Sequence, residues 1–285
     1  MHWFPRAVAV VVATALAPVV SASPASVARY VGLGDSAASG PIIPNQMPAP
    51  LGCWRSDRNF AHVVAQSLSV SPRDVSCSGA RTAHMWNPQD VFLGPNPPQL
   101  DALSNKTRRV TLQIGGNDIG FGAIVGACTK ASPFGHPCID LYAPDWPAGP
   151  DLLAERIAAS ASKVAAVIQA IHARAARARV FVVGYAAILP RSGNGCWPQV
   201  AIAWDDVPYL RATHEGLNAM LSEQAALNDA TYVDAYAASK GHDACRSWDV
   251  RWVEPIVPIN PAAPLHPNAR GMRGVAATGL TAMGR

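Results

Sequence analysis

A chain of 285 residues, 49% hydrophobic and only 15% charged, can bury a sizeable core as one large domain or two small ones, which excludes a disordered protein. Lys and Arg outnumber Asp and Glu by only 23 to 19 and form no dense stripe, so nucleic acid is not an expected partner. Glycine (22) and proline (25) are frequent but follow no period, which excludes collagen-like and repeat architectures.

In chain order, the first feature is an apolar run, Ala7 to Val20, behind Arg6 and ahead of the small residues Ser21 and Ala22. It is too short to span a bilayer comfortably and predicts a secretory signal peptide over 1–22, leaving 23–285 as a single domain with no membrane span after cleavage. Val27 to Leu33 reads as a buried strand ending at Gly34-Asp35-Ser36, and Asn59 to Leu68 as a helix. Asp74 to Cys77 is a short strand candidate ending at Ser78-Gly79. Val110, Leu112 and Ile114 alternate with Thr111 and Gln113, the pattern of a half-buried strand, and stop at Gly115-Gly116. Leu152 to Ala176 is the longest predicted helix, with Leu153, Ile157, Val164, Ile168 and Ile171 on one face. Then follow a strand at Val180 to Val183, a helix at Asp205 to Asn228, a strand at Thr231 to Val233 and a closing helix at Asn268 to Met283. Strands separated by helices predict an α/β protein whose central parallel sheet is covered on both faces.

Six cysteines, an even count in an exported chain, suggest three disulfides among fifteen possible pairings. Cys128 and Cys138 bracket a loop that closes easily, Cys53 and Cys77 flank one predicted helix, and Cys196 and Cys245 remain for each other. No Cys-x-x-Cys or His-x-x-x-His pair points to zinc.

Polar clusters fall where strands end, the place at which open parallel sheets bind ligands. Serine-hydrolase chemistry needs an exposed hydroxyl, an imidazole to take its proton and donors for the oxyanion. Ser36 is the expected nucleophile and His266 the expected general base and acid. The backbone N–H groups of Ser36 and Gly79, with the side-chain amide of Asn117, are the expected oxyanion donors. Asp35 and Asp118 read as turn-forming residues that bond nearby backbone N–H groups.

The ordered set Gly34-Asp35-Ser36, Cys77-Ser78-Gly79-Ala80, Gly115-Gly116-Asn117-Asp118 and Leu265-His266-Pro267-Asn268 resembles the SGNH hydrolase family, the GDSL esterases and lipases. Cys53-Trp54-Arg55-Ser56 and Gly241-His242-Asp243-Ala244-Cys245 are similar to its secreted actinobacterial branch. The resemblance implies a three-layer α/β/α flavodoxin-like fold and a serine ester hydrolase that needs no metal or other cofactor. It also supports the pairings Cys53–Cys77, Cys128–Cys138 and Cys196–Cys245, and the same roles for Ser36, Gly79, Asn117 and His266.

One position departs from the pattern. Most members place an Asp three residues before the histidine, where this chain has Ala263. A triad acid fixes the imidazole tautomer and stabilises the imidazolium. The main-chain carbonyl of Ala263, held extended by Pro264, is expected to accept from Nδ1–H instead; the rival is an acid from the preceding loop, Asp243, Asp249 or Glu254. Carboxylic esters of fatty or short acyl groups are the expected substrates, with Met85, Trp86, Ile119 and Phe121 as candidate acyl contacts and His84 near the mouth. The alternatives are an acetyl esterase on polysaccharide, with Trp54, Trp197, Trp248 and Trp252 as sugar platforms, or a silent binding protein on the same scaffold. The protein is expected to act as a secreted monomer, free or held at the cell envelope.

Overall fold

The computed structural model describes residues 1–2 and 29–285. The leader reading, beyond its first two residues, lies outside the described residues, as do the first residues of the Val27 to Leu33 strand.

Five strands, β1 (Tyr30–Gly34), β2 (Pro72–Asp74), β3 (Arg109–Gln113), β4 (Arg179–Val183) and β5 (Thr231–Val233), form one sheet in the order β2-β1-β3-β4-β5. All four pairings are parallel, with Val31 opposite Val110 and Val110 opposite Val180. The connections contain α1 (Ser36–Ser39), α2 (Phe60–Ser67), α3 (Phe121–Cys128), α4 (Pro137–Tyr142), α5 (Leu152–Arg174), α6 (Asp206–Leu227), α7 (Ala235–Ala238) and α8 (Ala269–Ala282). The side chains of Asn59, Asp151 and Asn268 cap α2, α5 and α8 by accepting first-turn backbone N–H groups.

Alternating strand residues feed two cores. On one face Tyr30, Phe181 and Val183 pack with Phe60 and Val64 of α2 and Met272 and Val275 of α8. On the other, Val31, Leu33 and Leu112 pack with Leu153, Val164 and Ile168 of α5 and Leu217 and Leu221 of α6. The result is the expected three-layer α/β/α sandwich.

Two expectations are corrected. β3 is not half-buried: helices cover both its faces, and its polar residues Thr111 and Gln113 are buried and each makes a side-chain hydrogen bond. Thr111 Oγ1 lies 3.0 Å from Tyr30 Oη, and Gln113 Nε2 donates to the Gly184 carbonyl at 2.8 Å. The second strand is Pro72–Asp74, upstream of the apolar pair Val75 and Cys77 that suggested it. Those two residues still donate their N–H groups to Gly32 and Gly34 of β1, at 2.9 and 3.0 Å, as the chain peels off the sheet edge.

The cysteines pair as Cys53–Cys77, Cys128–Cys138 and Cys196–Cys245, with Cα separations of 4.2, 5.1 and 5.4 Å. Three disulfides fit export to an oxidising compartment. No helix among the described residues is long and apolar enough to cross a membrane.

Candidate active site

In the strand order observed here, the chain runs outward in opposite directions from β1 and β3, and the crevice beyond their carboxyl ends is the expected binding place. Ser36 follows β1 and Asn117 follows β3, so the two flank that crevice. The end of β1 is fixed by Gln99, whose side chain accepts from Gly34 N at 2.8 Å and donates to Gly34 O at 2.9 Å. Asp35 then turns the chain: its N–H donates to Gln113 O of β3 at 3.0 Å, and its Oδ1 accepts from Ala37 N at 2.9 Å, which sets Ser36 as the first residue of α1.

His266 arrives from the opposite end of the sequence, three residues before α8. Its Nε2 lies 2.7 Å from Ser36 Oγ. Its Nδ1 lies 2.7 Å from the carbonyl of Pro264, not that of Ala263. The expectation for Ala263 is thus corrected by one residue, and the cause is local. Leu265 takes a left-handed φ of 59°, which folds the ring back over Pro264, while the Ala263 carbonyl accepts the backbone N–H of His266 at 3.1 Å. A carbonyl can only accept, so the Pro264 contact puts the proton on Nδ1 and leaves Nε2 to accept from the serine hydroxyl. Burial lowers the His266 pKa below the ordinary imidazole value, against a smaller upward pull from the Pro264 carbonyl.

Among the described residues no carboxylate bonds this ring. Asp249 is exposed, and Asp243 accepts from Cys245 N at 3.1 Å. Glu254 is buried against Arg251 at 2.8 Å and accepts from Asn268 Nδ2 at 2.6 Å. Burial pushes the Glu254 carboxyl up, but its hydrogen bonds from Asn260, Asn268 and Arg251 outweigh that and hold it below the usual carboxylate range. Its backbone supports the histidine loop: Leu265 N donates to Glu254 O and Glu254 N to His266 O, each at 3.0 Å.

The other polar candidates meet around Ser36. Asn117 Nδ2 donates to Ala80 O at 3.0 Å, leaving its second amide proton free of that bond. Cys77 N bonds Gly34 O and Ala80 N bonds Cys77 O, each at 3.0 Å, which holds the turn containing Gly79 against the end of β1. Among the described residues, no backbone carbonyl accepts the N–H of Ser36 or of Gly79. Asp118 is corrected from its expected role within its own turn: it reaches to the connection after β2, accepting from Thr82 N at 3.0 Å and from the Thr82 hydroxyl. Asp35 does more than turn the chain: its Oδ2 accepts from the Tyr185 hydroxyl at 2.5 Å.

A cavity of about 130 Å³ runs from Ser36, Asn117 and His266 into an apolar interior. Ile119 and Phe121 line it, as expected, and Phe121 meets the His266 ring edge-on at 6.1 Å. Met85 is instead fully buried in the core, and neither Trp86 nor His84 lines the cavity. Most of the lining comes from residues that sequence reasoning missed: Ile124 of α3, Ile188 and Leu189 after β4, Leu210 and Leu217 of α6, and Leu265. Their only signal was apolar character in the connections that follow β3, β4 and β5. None of Trp54, Trp197, Trp248 and Trp252 lines the cavity. Trp252 stacks on His242 at 4.8 Å, and Trp197 Nε1 donates to Lys130 O at 3.3 Å.

A parallel-sheet sandwich with a serine–imidazole pair at its switch point is the architecture of a hydrolase. Residues 33–273 match the model of the GDSL-like lipase/acylhydrolase family, and the chain belongs to that family. It is 37% identical over 261 residues to Lipase 2 of Streptomyces coelicolor, covering 90% of this chain and 85% of that one. It resembles in fold the crystal structures of phospholipase A1 from Streptomyces albidoflavus and of an extracellular lipase from Streptomyces rimosus. Each superposes with a TM-score of 0.71 at 24% identity, covering 91% and 89% of this chain and 99% and 98% of theirs. The protein is a carboxylic-ester hydrolase.

Proposed function

We propose that Ser36 is the nucleophile and His266 its base, and that the substrate is an ester with an apolar acyl chain. The observation that carries the reading is the 2.7 Å contact between Ser36 Oγ and His266 Nε2. Ser36 Oγ attacks the ester carbonyl carbon as Nε2 takes the hydroxyl proton. The Ser36 and Gly79 N–H groups and the Asn117 amide receive the oxyanion. His266 returns its proton to the departing alkoxide, leaving an acyl-serine. Water then attacks the acyl carbon, giving its proton to His266, and the carboxylic acid leaves as Ser36 regains its hydrogen. The Pro264 carbonyl holds the ring through Nδ1 during both halves.

The apolar cavity supports an acyl chain as the bound group, and the absence of the four tryptophans from its lining argues against a sugar platform. The relatives named lipase and phospholipase agree with that choice. Export with removal of residues 1–22, action as a monomer and release from the cell or retention at its envelope complete the reading; one chain supplies every candidate group.

An ester panel tests it. p-Nitrophenyl butyrate and longer acyl esters should be cleaved in preference to acetylated xylan, and Ser36→Ala should lose at least ~10³-fold in kcat. A fluorophosphonate probe should label wild type at Ser36; an unlabelled, folded protein would sink the assignment.

A further inference from the structure

We propose that Tyr185 is a positioning residue for the hydrolysis, its hydroxyl locking the turn that presents Ser36 to the turn that presents Asn117. The inference rests on the roles proposed above for those two residues.

The two turns leave adjacent strands, β1 and β3, and the Tyr185 hydroxyl bridges them. Gly116 N donates to Tyr185 Oη at 2.9 Å, and Oη donates to Asp35 Oδ2 at 2.5 Å. The other oxygen of Asp35 accepts from Ala37 N at 2.9 Å. One chain of bonds thus ties the residues on either side of Ser36 to the residue before Asn117. The ring lies against bare backbone: a Cβ on Gly116 would come within 3.1 Å of Tyr185 Cζ and Oη. Tyr185 is itself held from outside the site. Its N–H donates to Asn218 Oδ1 of α6 at 2.8 Å, its carbonyl accepts from Asn218 Nδ2 at 3.3 Å, and Tyr232 Oη also donates to Asn218 Oδ1, at 3.1 Å. The bridge therefore connects the site to the sheet and to α6 through groups that do not touch the reacting atoms.

The chain of bonds has a direction. The Gly116 amide can only donate, so the phenol proton must go to Asp35, and Asp35 must be an acceptor at both oxygens. A proton on either oxygen removes one acceptor, from the Tyr185 hydroxyl or from the Ala37 amide. Burial pushes the Asp35 carboxyl up to about 7, against the pull of the Tyr185 hydroxyl and the Ala37 amide. The titratable groups that face it are Tyr185, after β4, and Asp118, after β3, whose charge adds to the rise. The bridge thus has its observed direction while Asp35 is ionised, and one of its bonds must break or reverse when Asp35 takes up a proton.

The test is the pH profile of p-nitrophenyl butyrate hydrolysis for wild type, Tyr185→Phe and Asp35→Asn, with thermal unfolding and the rate of fluorophosphonate labelling as parallel readouts. Tyr185→Phe keeps the ring and removes only the hydroxyl. It should lower kcat at least tenfold with KM within twofold, slow labelling in step, and move the acid limb to higher pH, because the bond that favours ionised Asp35 is gone. Asp35→Asn should lower kcat and leave an acid limb set by His266 alone, below the usual imidazole range. A folded Tyr185→Phe with kcat within twofold of wild type overturns the proposal. So does a lower kcat with an unmoved acid limb, which would mark a merely structural hydroxyl. Should Tyr185→Phe fail to fold, an Asp35→Asn acid limb coincident with wild type overturns it on its own. Wild type that is not labelled at Ser36 overturns the underlying roles; labelled wild type with an unaffected Tyr185→Phe overturns only the part given to Tyr185.

Discussion

Asp35 is a carboxylate removed from water beside the site, and its burial has a cost that depends on pH. Its folded pKa of about 7 lies above the ordinary value of 3.8, so the folded state binds this proton more tightly than the unfolded chain. The stability linked to that proton is present below the unfolded value and is lost as pH rises through about 7. Asp35→Asn should therefore gain in melting temperature relative to wild type on going from pH 4 to pH 8, while losing activity throughout. A difference that is flat with pH, in matched thermal melts, would remove the linkage. His266 poses the complementary question. Its Nδ1 faces a carbonyl that orients the ring but carries no full charge, and no acid touches it among the described residues. Asp243→Asn and Asp249→Asn should each keep kcat within a few-fold, against the ~10⁴-fold loss that follows replacement of a true triad acid. A loss of that order at either position would restore a triad.

At the scale of elements, α8 and the loop ahead of it carry the histidine, and their packing sets how firmly it is held. Trp252 of that loop packs its ring against α8, where a Cβ on Gly274 would collide with the ring carbons. Gly274→Ala should thus destabilise by ~1–3 kcal/mol through overpacking, despite the higher helix propensity of alanine. A melting temperature equal to or above wild type would contradict the close approach. The loop also shows where sequence reasoning reaches its limit. Four helices, α2, α5, α6 and α8, could be read to within two residues, three of them because Asn59, Asp151 and Asn268 cap real apolar periods, whereas the shorter α1, α3, α4 and α7 carry too few turns to show a period. Four strands could be read because they are apolar runs or alternations bounded by turn residues. β2 was displaced because an edge strand needs little apolar character, and Pro72, Arg73 and Asp74 carry none. Ser36, His266, Gly79 and Asn117 could be singled out as candidates because each sits in a compact turn motif near a strand end or a helix start. Pro264 was not, because a single left-handed residue, Leu265, decides which carbonyl meets the ring. Tyr185 and the cavity lining were hidden for a broader reason: residues such as Ile124, Ile188 and Leu217 meet only through the sheet, and nothing local marks them.

For the molecule as a whole, the disulfides and the site share one end of the sheet. Cys53–Cys77 joins the connections after β1 and β2, Cys128–Cys138 lies within the connection after β3, and Cys196–Cys245 joins those after β4 and β5. The same connections supply Ser36, Gly79, Asn117, most of the cavity wall and His266. They are long and rich in turns, and a parallel sheet secures them only where they leave its strands. Cross-links there restrict the part of the chain with the most conformational freedom to lose. Loop-closure entropy ranks the bridges by span. The 49-residue separation of Cys196 and Cys245 makes theirs worth about 4 kcal/mol, and the 10-residue separation of Cys128 and Cys138 about 3 kcal/mol. Cys196→Ser/Cys245→Ser should accordingly melt ~2–4 °C below Cys128→Ser/Cys138→Ser. Because the longer bridge ties the β4 connection, which walls the cavity, to the β5 connection, which delivers His266, its loss should also slow hydrolysis of long acyl esters more than of p-nitrophenyl acetate. Equal slowing of both esters would mean that the bridge supports the fold without shaping the acyl chamber.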